Sequence, residues 1–181
     1  MRNKIINLDV DGVLYPILPL EEYKEIGCFL RHAPIPGAVE FVKQIREFCK
    51  KHGYQLCFLT KTCDQAPDLH HIHAWEKMQW IHDAFGVGLG TIIVLKHNQN
   101  KKNFSSGILI DDFGKNCLHW EGIGNISIQF GEDKVKPWLN AKTYDDVIRI
   151  LYQLEGDDLK WNAKNAKKNV LAKHRVQTAK D

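Results

Sequence analysis

The chain has 181 residues, of which 44% are hydrophobic and 26% charged, a single-domain length with enough apolar content to bury a core. No run of about 18 or more apolar residues occurs, so no membrane span is predicted. The first strand is predicted to begin directly after the opening residues, so no signal peptide is expected. The cysteines are odd in number and lack a Cys-x-x-Cys pair, so reduced thiols and a cytoplasmic location are expected.

The first predicted strand, over residues 4–9, runs directly into acid. It ends in Asp9, Asp11 follows two residues later, and Gly12 comes directly after that. Acids at the end of a buried strand are costly unless a cation meets them, and the glycine lets the backbone turn where they emerge. Because hard cations prefer oxygen ligands, this segment predicts a Mg²⁺ site. The alternative is an ordinary strand end whose acids are solvated.

Helices and strands alternate along the rest of the chain. The pattern predicts helices over 36–52, 72–85, 114–122 and 143–154, and strands over 54–60, 91–95, 107–110 and 126–130. The first helix carries an apolar stripe of Val39, Val42, Ile45 and Cys49. The second carries Ile72, Trp75, Gln79 and His82 on one side and Trp80 and Ala84 on another. This alternation predicts an α/β three-layer fold, a parallel sheet with helices on both faces.

Two further strands end in groups that can bind phosphate or metal. The strand over 54–60 ends in Thr60, with Lys61 next, and the strand over 107–110 is followed by Asp111 and Asp112. In an open parallel sheet, ligands bind outside the carboxyl ends of the strands. These side chains are therefore predicted to face the same crevice as the first two acids.

The order Asp-x-Asp, Thr, Lys, Asp-Asp resembles the haloacid dehalogenase (HAD) superfamily of phosphotransferases. Residues 34–39, residues 75–81 with the following Phe-Gly, and the Leu-Ile-Asp-Asp segment look like the 5'(3')-deoxyribonucleotidases within it. The similarity spans about residues 4–130. It implies a HAD-type, Rossmann-like sheet with a minimal cap inserted after the first strand, at residues 15–33. The family's helical cap is much longer, and Ile17 stands where the family has an aromatic residue.

Hydrolysis of a phosphomonoester needs a nucleophile, charge neutralisation at phosphorus and an acid for the leaving oxygen. Asp9 is the predicted nucleophile, since a carboxylate can take the phosphoryl group as an acyl phosphate. Asp11 is predicted to protonate the leaving alkoxide and then to activate water. Thr60, the backbone amides after it and Lys61 are predicted to bind phosphoryl oxygens.

Mg²⁺ is predicted to bind Asp9, the backbone carbonyl of Asp11 and the Asp111–Asp112 pair. Successive residues of an extended chain point to opposite sides, so only one of Asp111 and Asp112 is expected to bind the metal directly. The resemblance implies that Asp112 is the direct ligand and that Asp111 acts through water or a hydrogen bond. A helix cap is the alternative for Asp111.

Several lysines compete for the phosphate-neutralising role. The resemblance puts this lysine a little before the Asp-Asp pair, which favours Lys101, with Lys102 and Lys96 as alternatives. Lys77 matches a family lysine near the substrate, and a solvated helix lysine is its alternative.

Zinc is not favoured by the histidines between residues 70 and 82. His70, His71, His73 and His82 match the spacing of no closed zinc site, and no cysteine pair accompanies them. A surface location, or a loop at the mouth of the active site, is favoured instead.

Together these residues predict a Mg²⁺-dependent phosphomonoesterase that forms an aspartyl-phosphate and acts on (deoxy)nucleoside monophosphates. Because the cap is short, one alternative is a larger substrate, such as a polynucleotide 3'-phosphate end or a phosphoprotein. An alternative of another class is a non-catalytic binding protein on the same scaffold. The retained acids argue against it.

The core is predicted to span residues 1–156, and residues 157–181 form a basic extension. Residues 160–181 carry a formal charge of +6, whereas the preceding residues carry −3. A partly ordered, solvated extension is one interpretation. The other is an arm that contacts nucleic acid, because lysine and arginine neutralise backbone phosphates.

Overall fold

A computed structural model describes residues 4–131 and 139–157. Its strands are β1 (Ile5–Leu8), β2 (Gln55–Lys61), β3 (Ile92–Leu95), β4 (Ile108–Asp111), β5 (Ile126–Phe130) and β6 (Leu139–Ala141). Its α-helices are α1 (Ala38–His52), α2 (His70–Phe85), α3 (Gly114–Glu121) and α4 (Tyr144–Leu154). The basic extension, beyond its first residue, lies outside the described residues. Among the helices described, none is long and apolar enough to cross a membrane.

The strands form one sheet in the order β3-β2-β1-β4-β5-β6, and every neighbouring pair is parallel. The prediction of an α/β fold with a parallel sheet is confirmed. Strand β6 was not predicted, because three residues at the edge of a sheet carry too little pattern to be recognised. The strand order reverses between β1 and β4, so the connections on either side of this point run in opposite directions.

Helices cover both faces of the sheet, as a three-layer arrangement requires. Side chains alternate across a strand, so neighbouring residues of β2 enter different cores. Phe58 joins the large core that includes α1, α2 and α4, whereas Leu59 joins a smaller one with Trp120 of α3. These two cores hold the layers together.

Helix α1 buries a wider arc than the predicted stripe. Phe41 and Phe48 are buried together with Val42, Ile45 and Cys49. Val39, predicted to belong to the stripe, is 55% exposed. The prediction for Val39 was wrong. The preceding residue, Ala38, lies on the buried arc, and Val39 is rotated about 100° around the helix axis from it, toward solvent.

Helix α2 buries its Trp80 side, and half of that face is polar. The buried residues are His73, Glu76, Lys77, Trp80, Ile81 and Phe85, whereas Trp75 on the other side is 59% exposed. The first turns of α2 pack against the segment of residues 15–33. Polar groups are tolerated there because they find partners in that segment and at the carboxyl edge of the sheet.

The segment of residues 15–33, called the insert below, contains two 3₁₀ turns, Glu22–Lys24 and Cys28–Leu30. These turns do not join into an α-helix, because Gly27 lies between them with a φ of +83°. Tyr15 and Phe29 are buried, and the ring of Tyr15 contacts those of Phe29 and Trp80. The insert is thus anchored to α2 by aromatic contacts.

Candidate active site

The polar strand ends meet at the carboxyl edge of the sheet, where the strand order reverses. Asp9 and Asp11 follow β1, Thr60 lies near the end of β2, Asp111 is the last residue of β4, and Asp112 follows it. Because β1 lies between β2 and β4, all of these residues lie side by side at this edge of the sheet, where the crevice was predicted. This is the position where open α/β sheets bind ligands.

Lys101 joins two of the acids. It lies in a short 3₁₀ turn between β3 and β4, is 2% exposed, and its Nζ is 2.7 Å from Asp9 Oδ1 and 2.6 Å from Asp111 Oδ2. Burial alone would lower the pKa of Lys101, but the charges of Asp111 and Asp9 raise it above its usual value. Of the two alternatives, Lys96 is exposed and Lys102 is half-buried, and neither is paired with these acids within the described residues.

A second cluster forms around Asp11. Lys77 of α2 donates to the Asp11 carboxylate and, at 3.1 Å, to the Thr60 hydroxyl, which itself donates to Asp11 Oδ2 at 3.2 Å. Lys77 is 1% exposed, so the alternative of a solvated helix lysine is wrong. Its ammonium also lies 4.5 Å from the centre of the Phe29 ring, a favourable cation–π contact. Lys77 therefore connects Asp11 to both β2 and the insert.

Asp112 and Gly12 approach each other more closely than any larger residue would allow. A Cβ at Gly12 would lie 1.9 Å from Asp112 Oδ2, and the φ of +72° at Gly12 also favours glycine. The missing side chain makes room for the Asp112 carboxylate beside β1. Oxygens of Asp9, Asp111 and Asp112 accordingly lie within 4.8 Å of one another.

The two acids at the end of β4 have different surroundings. Asp111 is fully buried and accepts hydrogen bonds from Lys101, from the backbone amide of Phe113 at 2.9 Å and from Asn116 Nδ2 at 3.1 Å. The bond to Phe113 stabilises the turn after β4 and does not cap α3, whose N-cap lacks a side-chain hydrogen bond. Asp112 is only half-buried. Its carboxylate is the freer of the two to bind a metal.

The acids fit a divalent cation. When fully ionised, the four carboxylates and the neighbouring Lys61, Lys77 and Lys101 have one net negative charge, which Mg²⁺ would reverse. Among the residues that the structure describes, the buried Asp11 Oδ1 has no hydrogen-bond partner, which is costly unless a cation or water compensates. Asp9 and Asp112, with Asp111 behind them, supply the oxygen donors that Mg²⁺ prefers. The Asp11 carboxylate lies outside this oxygen cluster.

Crowding shifts the proton affinity of the acids. Burial and the charge of Asp111 raise the pKa of Asp9 well above its usual value, although Lys101 opposes them. The same two causes raise the pKa of Asp112 to about 7. Burial and the charge of Lys101 lower the pKa of Lys61, which is near the acids without an ion pair to them. A site without metal therefore retains protons near neutral pH.

One predicted phosphate donor is already occupied. The backbone amide of Thr62 donates to the carbonyl of Leu95 at 2.8 Å, in continuation of the pairing between β2 and β3. Among the amides that follow Thr60, this one is therefore not available to a phosphoryl oxygen, which corrects the prediction. The Thr60 hydroxyl lies at the crevice, bonded to Asp11 and Lys77.

Metal affinity should depend on pH, because Mg²⁺ competes with protons for Asp112 and Asp9. We expect the apparent Kd for Mg²⁺ to rise by about tenfold as the pH falls from 7 to 6, since at least one proton must leave before the metal binds. Isothermal titration calorimetry between pH 6 and 8, in buffers of different ionisation enthalpy, measures both the affinity and the protons released.

The stability of the metal-free protein should have the opposite pH dependence: it should fall as the pH rises, whereas Mg²⁺ affinity increases. The pKa of Asp112 is higher in the folded chain, about 7, than its ordinary value of 3.8, so the folded state binds the proton more tightly. Its contribution to the free energy of unfolding is therefore complete below pH 4 and lost as the pH rises to 7. Asp112→Asn should flatten this loss in urea titrations with a chelator present. An unchanged pH slope in that variant would contradict the assignment.

Loss of Lys77 should affect turnover more than substrate binding. In Lys77→Met the carboxylate of Asp11 loses its ammonium partner, and we expect kcat to fall on the order of 10²-fold, the scale for a positioned electrostatic group. Steady-state kinetics with a small aryl phosphate measures kcat and KM separately. Lys43→Met on α1, whose side chain is 67% exposed, is the matched control and should behave as the parent does. Equal kcat values for the two variants would exclude a role for Lys77.

The histidines do not form a joint zinc site. His71 is exposed, His70 Nδ1 lies 2.9 Å from the Thr62 hydroxyl, and His82 Nδ1 lies 2.7 Å from the carbonyl of Val87. His73 is fully buried, so the prediction of a surface location is wrong for this residue. Within the described ranges, no cluster of metal-binding side chains holds more than one of these histidines.

In comparisons with known proteins, no family model and no curated protein sequence matches this chain. The chemistry of the site therefore rests on its own residues.

Proposed function

We propose that this protein is a Mg²⁺-dependent phosphomonoesterase that works through an aspartyl-phosphate intermediate and acts on nucleoside monophosphates. The observation that carries the proposal is the pairing of Asp9 with Lys101 and of Asp11 with Lys77 and Thr60. Two acids separated by one residue thus have different partners, as a nucleophile and a general acid require.

In the first half of the reaction, a carboxylate oxygen of Asp9 attacks phosphorus and the bond to the ester oxygen breaks. Lys101, 2.7 Å from Asp9 Oδ1, is close enough to offset charge on the phosphoryl oxygens. The leaving alkoxide takes a proton from Asp11. The products of this step are the free alcohol and the phosphoryl group on Asp9.

In the second half, Asp11 accepts a proton from a water molecule, and the resulting hydroxide attacks phosphorus. The bond between phosphorus and the Asp9 oxygen breaks, which releases inorganic phosphate and restores the carboxylate. Lys77 and Thr60 both bond to Asp11, so they hold its carboxyl group in one orientation through both proton transfers.

Mg²⁺, held by Asp9 and Asp112 with the backbone carbonyl of Asp11, would neutralise the charge of the phosphate group when bound. Asp111 would not bind the metal directly, since Lys101 and Asn116 already donate hydrogen bonds to it. It would instead hold Lys101 in position. The carboxylates alone would repel a phosphate dianion, so the cation and the lysines are both required.

The insert supports a second candidate, a larger phosphorylated substrate. It contains two 3₁₀ turns, of which the second packs against α2, and it is much smaller than a helical cap domain. Such a small cover leaves room for the end of a polynucleotide or for a phosphoprotein. The resemblance to deoxyribonucleotidases favours a mononucleotide, and the size of the insert favours the larger class.

Hydrolysis of a substrate panel with Mg²⁺ tests the proposal. The panel contains 5'- and 3'-mononucleotides with ribose or deoxyribose, sugar phosphates, 3'-phosphorylated oligonucleotides and a phosphopeptide, with phosphate release as the readout. The highest kcat/KM is expected for mononucleotides. A preference for the oligonucleotide or the phosphopeptide would support the second candidate. No release from any substrate, with Mg²⁺ bound, would instead indicate a non-catalytic binding protein.

A further inference from the structure

A second cluster of metal-binding side chains lies between the insert and α2. Cys28 belongs to the second 3₁₀ turn of the insert, and His73 and Glu76 lie three residues apart on α2. Residues three apart project from the same face of a helix. One ligand atom from each of the three residues lies within 4.8 Å of the others. Each of the three is at least 98% buried.

His73 carries the inference, because its buried imidazole lacks a well-formed hydrogen bond. Among the described residues, neither ring nitrogen makes a hydrogen bond of good geometry, although the backbone of Glu25 lies close enough to oppose the effect of burial on its pKa. The Phe29 ring meets the imidazole edge-on at 5.3 Å. Burial lowers the pKa of His73, so the ring is neutral and has a lone pair available. A buried polar group without a partner costs free energy, and a metal ion would remove that cost.

Glu76 is oriented as a carboxylate ligand should be. Its Oε1 accepts from the backbone amide of Gly27 at 2.5 Å, which fixes the carboxylate. Its Oε2 accepts a longer bond from the backbone amide of Phe29 at 3.4 Å and lies 3.9 Å from the sulfur of Cys28. Sulfur and oxygen ligands of one tetrahedral Zn²⁺ ion are about 3.5 Å apart, given the usual bond lengths. Only a small adjustment would therefore bring both atoms to one ion, while the Gly27 amide holds the other oxygen.

We propose that Cys28 Sγ, one ring nitrogen of His73 and Glu76 Oε2 form a site for Zn²⁺ or a similar divalent transition-metal ion. Binding breaks the S–H bond of Cys28 and releases one proton to solvent, while His73 and Glu76 contribute lone pairs. The thiolate and the carboxylate then balance the charge of the ion. Three protein ligands leave the fourth tetrahedral position to water.

This site and the carboxylate crevice differ in their donor atoms and therefore in the metal ions that they prefer. A sulfur and a nitrogen donor select zinc-like ions, whereas an all-oxygen set suits Mg²⁺. An ion here would link the insert to α2 beside Lys77, the neighbour of Glu76 that contacts Asp11. The site would therefore stabilise the cover of the crevice without contributing a ligand to it.

Cobalt(II) is the probe, because a thiolate ligand gives it a charge-transfer absorption in the near ultraviolet and oxygen ligands alone do not. The full-length chain is stripped with a chelator and titrated with Co²⁺ under reducing conditions. Asp112→Asn is used as the background so that the all-oxygen site is weakened. We expect one equivalent of Co²⁺ to produce the thiolate band, and Zn²⁺ to displace it and to raise the Tm.

Matched variants identify the ligands. Cys28→Ser should abolish the band, and His73→Gln should weaken Co²⁺ binding by more than about tenfold. Cys63→Ser and His71→Ala, which change another half-buried thiol and an exposed histidine, should bind as the background does. If Cys28→Ser fails to fold, His73→Gln carries the test. Absence of the band in the background protein, its survival in Cys28→Ser or unchanged affinity in His73→Gln would overturn the proposal.

Discussion

Replacing Asp9 with asparagine should abolish phosphomonoester hydrolysis while the fold is retained. The amide has the shape of the carboxylate, and its oxygen can still accept from Lys101, which now lies 2.7 Å from Asp9 Oδ1. It cannot form the acyl phosphate, so we expect kcat to fall at least on the order of 10⁴-fold, as for loss of a nucleophile. Phosphate release from the best substrate of the panel, at saturating Mg²⁺, is the measurement.

The same variant should not lose stability when metal is absent. Asp9 lies within 4.8 Å of two other carboxylates, and burial together with the charge of Asp111 raises its pKa. Removing one acid relieves this repulsion, so the Tm in a chelator should be equal to or higher than that of the parent. Asp83→Asn, on the exposed side of α2, controls for a generic loss of charge. More than a small residual kcat in Asp9→Asn would exclude it as the nucleophile.

The parts of the fold that could be predicted are those with a strong local pattern. Apolar strands that end in Asp9, Thr60 and Asp111 were recognisable because a buried run stops abruptly at a polar group. The ends of α1 and α2 were recognisable because Gly53 and Gly86 adopt positive φ values and cap each helix through a backbone amide. These signals lie within a few residues of the feature they define.

The polar side of α2 could not be read from periodicity alone. Its pattern offered two sides for burial, and the buried side includes Glu76 and Lys77, whose charges would ordinarily indicate solvent. Their partners, Gly27 and Asp11, come from the insert and the end of β1. A helix face with polar groups can be buried when these groups find hydrogen-bond partners on other elements of the fold. The spacing of residues along the helix does not reveal such partners.

The proposed zinc-like site likewise could not be predicted from sequence spacing, because its residues are brought together by tertiary packing. Spacing along α2 gave no indication of a zinc site among its own histidines. It could not reveal that Cys28 would be placed beside His73, because the two residues are joined only by the packing of the insert on the helix. The adjacent cysteine and glutamate become visible only when the elements are assembled.

Replacing Lys101 with alanine should reduce turnover and stability together. The ammonium bonds two buried carboxylates, at 2.7 Å to Asp9 and 2.6 Å to Asp111. Its loss removes the positioned positive charge, and we expect kcat to fall on the order of 10²-fold or more. It also leaves buried acids unpaired, so the free energy of unfolding at pH 7 should fall by roughly 3 kcal/mol. Enzyme kinetics and urea titration measure the two effects.

Parallel variants and a change of pH separate these causes. Lys102→Ala and Lys96→Ala remove lysines that are half-buried and exposed, so each should cost far less in both measurements. Without Lys101 the pKa of Asp9 should rise further, because the ammonium whose charge opposes its carboxylate neighbours is gone. The folded variant then prefers the protonated acid, so its stability deficit should shrink from pH 7 to pH 5. A larger kcat loss in Lys102→Ala would transfer the assignment to that residue, and a deficit independent of pH would show that packing, not charge, accounts for it.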